Sequence, residues 1–315
     1  MTTQILATML LSIAAAAAVP PGATGGSAPG GVVPSGRFRW ERTDSRLALI
    51  DGTRLVWQFH FSKEEGKPYF HPLNLPDGTT LTSLRPADHP WHRGLWWSWK
   101  FINGLNYWEE DPKSGLSAGR TEITAVTTIP HADGSAHISM DLSYHPPGAP
   151  PVMLEKRELS VSAPDSKGSY QIGWISVFTT GDQDVKLDRT PLPGEPGGVG
   201  YGGYAGLSAR MSTPAKSWVF TSSERTSGAA NLHGRTARWV DFSGETSRGA
   251  KGGLTMFDDP RNLRYPTHWY VNQEMPYFSP APLFKEAFML GAGKTVTLRY
   301  TILIHSGSAN GGDLQ

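Results

Sequence analysis

From about residue 37 to residue 306 the chain is a succession of short runs in which apolar and polar residues alternate. No stretch longer than a turn or two carries the period of about 3.6 that marks an amphipathic helix. The alternation predicts strands over Arg37–Thr43, Arg46–Asp51, Thr53–Phe61, Thr121–Ile129, Ser135–Tyr144, Met153–Ser162, Tyr170–Thr180, Ala237–Gly244, Gly252–Phe257 and Thr295–His305. In the last of these Val296, Leu298, Tyr300, Ile302 and Ile304 share one face, which marks that face for burial. Asp51-Gly52 joins two runs, and Gly168, Gly181 and Gly244 punctuate others. Many short strands with no helices between them specify an all-β fold, a large antiparallel sandwich or barrel. Leu73–Glu110 and Asp188–Gly206 are left as long connections, and connections of that length in a compact domain are usually functional.

The amino terminus breaks the pattern. Ile5 to Val19, ILATMLLSIAAAAAV, is an apolar run ending in small residues, as in a cleavable secretory signal, although its MTTQ start lacks Lys and Arg. The run is too short to span a bilayer, so no integral membrane span is expected in the mature chain. The expected organisation is a signal over 1–19, a flexible Pro/Gly/Ala leader over 20–36, one sandwich domain over 37–307 and a tail over 308–315, with a secreted or periplasmic destination. With 29 basic against 28 acidic residues there is no cationic surplus for nucleic acid. The absence of cysteine excludes disulfides, thiolate metal sites and thiol nucleophiles.

Candidate chemistry concentrates in Asp88-His89-Pro90-Trp91-His92-Arg93-Gly94-Leu95-Trp96-Trp97-Ser98-Trp99 and the following Asn103-Gly104-Leu105-Asn106-Tyr107-Trp108-Glu109-Glu110. Five of the eleven tryptophans lie here beside histidines, an arginine and carboxylates, a mixture that is costly to bury without partners. Aromatic faces cover the C–H side of a sugar ring while polar groups answer its hydroxyls, so the expected partner is a carbohydrate or other small molecule. Strand alternation must send some of these rings inward, Trp97 and Trp99 among them. His89, His92 and Arg93, with Glu110, are the catalytic candidates of this block. His89 and His92, joined by Glu110, His71 or His268, would also suit a divalent metal, the one candidate cofactor. A second group supplies His268 and Glu274 as further acid–base candidates. Substrate-binding candidates are His71, Trp91, Trp96, Asn103, Trp108, Tyr204, Arg210, Asp241, Trp269 and Asn272.

Taken in order, HPWHRGLWWSW with NGLNYWEE, GGYAGLSAR, RWVDFSG, FDDPRNLRYPTHWYV and LGAGKTVTLRYTILIHSG resemble the bacterial PmoA-like family of unknown function, over roughly Arg37 to Gly307. That family's inherited description as a methane oxygenase subunit does not suit a chain without spanning helices. The closing block is also similar to the last strand of galactose-mutarotase-like proteins. This implies a supersandwich with a catalytic His and Glu on a concave sheet face, an analogy of fold only. The resemblance further implies export and a place beside sugar-catabolic oxidoreductases, and it would put an acidic residue where this chain has Gly173, the mark of an altered member. The expected function is a secreted carbohydrate-active enzyme using His/Glu acid–base chemistry on a glycoside or oxidised sugar, by hydrolysis, elimination or epimerisation. The alternatives are a non-catalytic carbohydrate-binding sandwich and a structural or adhesive role.

Overall fold

The computed structural model describes residues 34–212 and 217–307. The signal, leader residues 20–33 and the tail lie outside them. The fold is all-β, 49% strand and 1% helix, and the single helix among the described residues, Ala229–Leu232, is too short to cover a sheet. One sheet of nine strands runs edge to edge through Pro34–Ser35, Phe38–Arg42, Arg46–Asp51, Arg54–His60, Tyr69–Leu73, Leu95–Ser98, Gly206–Arg210, Tyr277–Pro280 and Trp269–Asn272. A second sheet of eight runs through Val219–Ser222, Trp239–Glu245, Lys251–Asp258, Thr295–Ser306, Tyr170–Thr180, Met153–Val161, Ala136–His145 and Arg120–Pro130. All neighbours pair antiparallel. Phe288–Leu290, Val185–Asp188, Phe101–Ile102 and Leu105–Asn106 form a separate small sheet of four strands.

The two large sheets face each other across an aromatic core. Trp97 of the first lies 5.2 Å from Phe178 and 6.2 Å from Tyr300 of the second, and Phe278 meets Phe220 at 5.4 Å between ring centres. The strand Met153–Val161 alternates buried and exposed at every position, the signature of one face on the core and one on solvent. All ten strands expected from the alternation are present, with ends displaced by at most two residues. The sheet begins earlier than expected, because Pro34–Ser35 already pairs with Phe38–Arg39 inside the stretch read as leader. No helix among the described residues is long and apolar enough to cross a membrane.

Leu73–Glu110 is not one long connection. It contains Leu95–Ser98, which lies inside the nine-stranded sheet and is buried at all four positions. Gly206–Arg210 and Tyr277–Pro280, beside it in the sheet, are likewise buried at every position. These strands show no alternation because their second face is also covered. Tyr69, Trp96, Trp108, Tyr204, Tyr270 and Tyr277 form a second cluster of buried rings, separate from the main core, and the candidate site is built there.

Candidate functional site

Residues 86–92 turn tightly, with the His89 amide donating to the Pro86 carbonyl and the His92 amide to the His89 carbonyl, each at 3.0 Å. The turn stacks the imidazoles of His89 and His92, with centres 4.6 Å apart and planes 23° from parallel. Gly94 then enters the sheet at φ 67°, where a Cβ would sit 2.4 Å from the Phe70 carbonyl oxygen, so no other residue can make this step without moving the neighbouring strand. Trp91, His89, His92, Trp108, Glu109, Tyr201, Tyr204, Tyr270, Met275 and Tyr277 line a cleft of about 270 Å³.

The chemistry at its base is asymmetric. Glu109 accepts from Asn106 Nδ2 at 2.7 Å, from the Tyr204 hydroxyl at 3.0 Å and from Lys100 Nζ. Burial alone would raise its carboxyl, but the charge and hydrogen bond of Lys100, with Asn106, hold it below the usual range, so Glu109 is ionised at neutral pH. His92 is only 2% exposed. Burial first, then the proximity of His89 and Arg210, pushes its pKa down to about 2, and the ring stays neutral. Arg210 Nη1 lies 3.5 Å from His92 Nδ1, and an arginine can only donate. Nδ1 is therefore the acceptor and the ring proton sits on Nε2, the nitrogen left for a ligand. Arg210 is itself held by two bonds to Asp88, at 2.8 and 3.0 Å. Burial opposes ionisation of Asp88, but the hydrogen bonds of Arg210 and His89 outweigh it and lower the carboxyl to about 2.

A neutral buried histidine leaves a mark on stability. His92 in the unfolded chain takes a proton below about pH 6.5 whereas the folded ring does not, so its contribution is complete above that pH and is lost as pH falls towards the folded value near 2. Between pH 6.5 and 4.5 we expect unfolding free energy to fall by about 1.4 kcal/mol per pH unit from this group. Denaturant titrations across that range should show a shallower slope for His92→Gln, and an unchanged slope would refute the assignment. His71 acts in the same direction, its pKa lowered to about 4 by burial and then by His60.

The cleft gathers His89, His92, Trp91, Trp108 and Tyr204 from the expected residues, with Arg210 directly behind. Others are placed elsewhere. Arg93, fully buried, gives its guanidinium to Glu110 at 2.7 Å and Glu65 at 2.7 Å, and Glu110 is also held by Lys67 at 3.3 Å and Arg85 at 3.0 Å. This closed ion cluster leaves neither Arg93 nor Glu110 free for a substrate. Trp96 is buried behind His92 and Trp108, 5.1 and 5.6 Å from their centres. His71 binds Thr82 Oγ1 at 3.0 Å, and Asn103 caps a turn by accepting the Lys186 amide.

Asp241 does not point into the cleft either. It is buried in the eight-stranded sheet, accepting from Thr255 at 2.8 Å and Ser243 at 2.5 Å and meeting His305 Nε2 at 2.9 Å. His268 stacks on Phe284 at 5.8 Å. Trp269 faces the main core and donates to the Ala237 carbonyl at 2.9 Å, so the cleft receives its neighbour Tyr270 instead. Asn272 accepts the Met275 amide in a turn, and Glu274 is exposed beside it. Gly173 lies on the other sheet, where Ser160 Oγ would be 2.5 Å from an added Cβ. Glu109, Tyr201, Tyr270, Met275 and Tyr277 are the lining residues that the candidate set lacks. Among the described residues no three His, Asp or Glu side chains group as a metal site. The two stacked rings of His89 and His92 direct their in-plane lone pairs along nearly parallel planes, not to a shared point.

Among solved structures, the chain is similar to an alpha-galactosidase from Lactobacillus brevis, at 12% identity and a TM-score of 0.43, covering 87% of this chain and 40% of that one. It is also similar to a TPR-domain containing protein from Parabacteroides distasonis, at 11% identity and a TM-score of 0.31, covering 88% of this chain and 48% of that one. The chain thus spans less than half the length of either. No curated protein matches it. The resemblance to the PmoA-like family is overturned, since the family model that fits is a different one. Matching that model over residues 47–315, the chain belongs to the family of unknown function DUF6807.

Proposed function

We propose that the cleft binds a sugar ring and that Glu109 and His92 move a proton on it, making the protein a carbohydrate-active enzyme of the epimerising or eliminating kind. One observation carries this reading: the Glu109 carboxylate and the His92 imidazole, whose Nδ1 meets Arg210, line the same aromatic cleft. A carboxylate base paired with a neutral imidazole donor is an established solution for abstracting a proton beside a carbonyl. On an oxidised sugar Glu109 would take the C–H proton, the electron pair would move onto the carbonyl oxygen, and His92 Nε2–H would hydrogen-bond that oxygen. Departure of a β-substituent with the electron pair gives elimination, with the proton left on Glu109; epimerisation takes a proton from solvent on the opposite face while Glu109 releases its own to solvent. Ordinary glycoside hydrolysis fits less well, because it uses two carboxylates flanking the bond and Glu109 is the one carboxylate among the described lining residues. We extend to the whole chain the expectation of export read from residues 5–19.

The test is incubation of the full chain with neutral glycosides and their keto derivatives in D₂O, read by mass spectrometry and NMR. Deuterium entering at a carbon beside the carbonyl supports the reading. A second reading, a binding module without turnover, is favoured by the fact that Glu109 already accepts three hydrogen bonds. Binding of a sugar with no deuterium entry and no product would decide for it.

The aromatic residues separate by role. Trp91→Ala should weaken sugar binding about tenfold with little change in stability, since Trp91 is a half-buried lining ring. Trp96→Ala should instead cost about 3–5 kcal/mol of stability, because a ring 1% exposed is removed from a packed cluster. Titration calorimetry and chemical denaturation distinguish the two, and similar effects from both would refute the division.

A further inference from the structure

The charges around the cleft are arranged in one sense, and this limits what can bind. Two ion pairs flank it, Lys100–Glu109 and Arg210–Asp88, and in both the cation is turned inward. Lys100 and Arg210 side chains are 7% and 8% exposed, while their partners Glu109 and Asp88 are 31% and 45% exposed. Lys100 is enclosed further by the rings of Phe101 and Tyr204, at 5.0 and 5.3 Å. Among the described residues lining the cleft there is no lysine or arginine. His92 adds no positive charge, since its ring is neutral. A ligand entering therefore meets Glu109 in the lining, while Asp88 lies just beyond it, 3.1 Å from Nδ1 of the lining His89, and Lys100 and Arg210 sit behind the protein surface.

Size sets a second limit. A cleft of about 270 Å³ lies just below the roughly 300–1,000 Å³ of small-ligand pockets, which is room for one hexose-sized ring. Tyr201, exposed at the rim, and the buried Tyr204, Tyr270 and Tyr277 offer that ring apolar faces, while the Tyr204 and Tyr277 hydroxyls are held by Glu109 and Ser208.

Resting on the carbohydrate reading above, we propose that the cleft takes a single uncharged sugar ring, with or without a ketone, and rejects rings that bear a carboxylate, sulfate or phosphate. Placing an anionic substituent against Glu109, with Asp88 nearby, sets like charges together without a lysine or arginine facing it, an arrangement that discriminates against the charged ring.

The experiment titrates the full chain with methyl glucopyranoside, galactopyranoside and mannopyranoside and with the corresponding methyl hexuronides. It follows the fluorescence of the lining tryptophans and ligand NMR. At least one neutral glycoside should bind, and its uronide should bind at least about tenfold more weakly. The gap should narrow in Glu109→Gln, in Asp88→Asn and at high salt, because each removes or screens one of the repelling charges. The two variants act independently, so failure of either to fold leaves the other to decide. A uronide that binds as tightly as its neutral counterpart would overturn this inference while leaving the sugar-binding reading in place. No binding by any glycoside, charged or neutral, would overturn the reading itself and this inference with it.

Discussion

A Glu109→Gln variant is expected to lose about 10²- to 10⁴-fold in turnover, the range supplied by a positioned proton-transfer group, while keeping its affinity for sugar; leaving the buried Lys100 without its carboxylate also costs it stability. The amide is nearly the same shape as the carboxylate: its oxygen can stand at Oε2 and accept from Asn106, while its NH2 stands at Oε1 and donates to the Tyr204 hydroxyl, so the aromatic walls stay where they are. What it lacks is the charge that Lys100 stabilises and the basicity that a proton abstraction needs. The loss should therefore fall on kcat with KM little changed, the pattern of an interaction made in the transition state. Deuterium entry in D₂O is the most direct readout, since it reports the proton step even if a later step is slow. Full exchange in the variant would remove Glu109 from the mechanism. A fall in sugar affinity equal to the fall in rate would make it a binding residue only. His92→Gln should give a smaller loss, because a glutamine amide can still donate where Nε2–H did, though from a less fixed position.

How much of this was legible in the sequence depended on whether a strand had a dry face and a wet one. Met153–Val161, Tyr170–Thr180 and Thr295–Ser306 belong to the sheet whose outer face meets solvent, and their alternation gave their ends to within a residue. Leu95–Ser98, Gly206–Arg210 and Tyr277–Pro280 are buried at every position, with Trp96 and Tyr277 in the ring cluster beneath the cleft, so both faces are covered and no period survives. The signal that hid these strands is the one that betrays the site. Within the site, the mixture of tryptophans, histidines and charges around His89–Trp108 was readable as a ligand-binding block. The choice between Glu109 and Glu110 was not. Both follow the turn in which the Asn106 side chain accepts the Trp108 and Glu109 amides, and no helical or strand period assigns faces there. Their roles are fixed by partners far along the chain: Tyr204 for Glu109, and Lys67, Arg85 and Arg93 for Glu110. Trp269 and Tyr270 pose the same problem, with adjacent rings on opposite faces of one strand whose direction only the sheet decides.

The neighbouring substitution, Glu110→Gln, should act on the fold. Glu110 is 6% exposed and is the carboxylate shared by Lys67, Arg85 and Arg93, with Glu65 the second acceptor of the cluster. Removing its charge leaves three cations facing one carboxylate, two of them, Lys67 and Arg93, buried. Breaking a buried pair in this way typically costs about 3–5 kcal/mol, because the stranded charge keeps its desolvation penalty. Lys67 gives the effect a pH signature. Burial already lowers its pKa to about 8, against the opposing pull of Glu110, and losing that pull lowers it further. A folded lysine pKa below the unfolded value means that the unfolded chain binds more protons over the intervening range, so stability rises with pH there. In Glu110→Gln this range extends below about pH 8, so the deficit against the wild type should be largest at the acid end of the range and should shrink as pH rises towards that value. A cavity or a lost contact would give a deficit independent of pH. Chemical denaturation of both proteins from pH 6 to about 8.5 separates these cases. If Glu110→Gln kept the stability of the wild type and lost turnover, the two carboxylates would have to exchange the roles assigned to them.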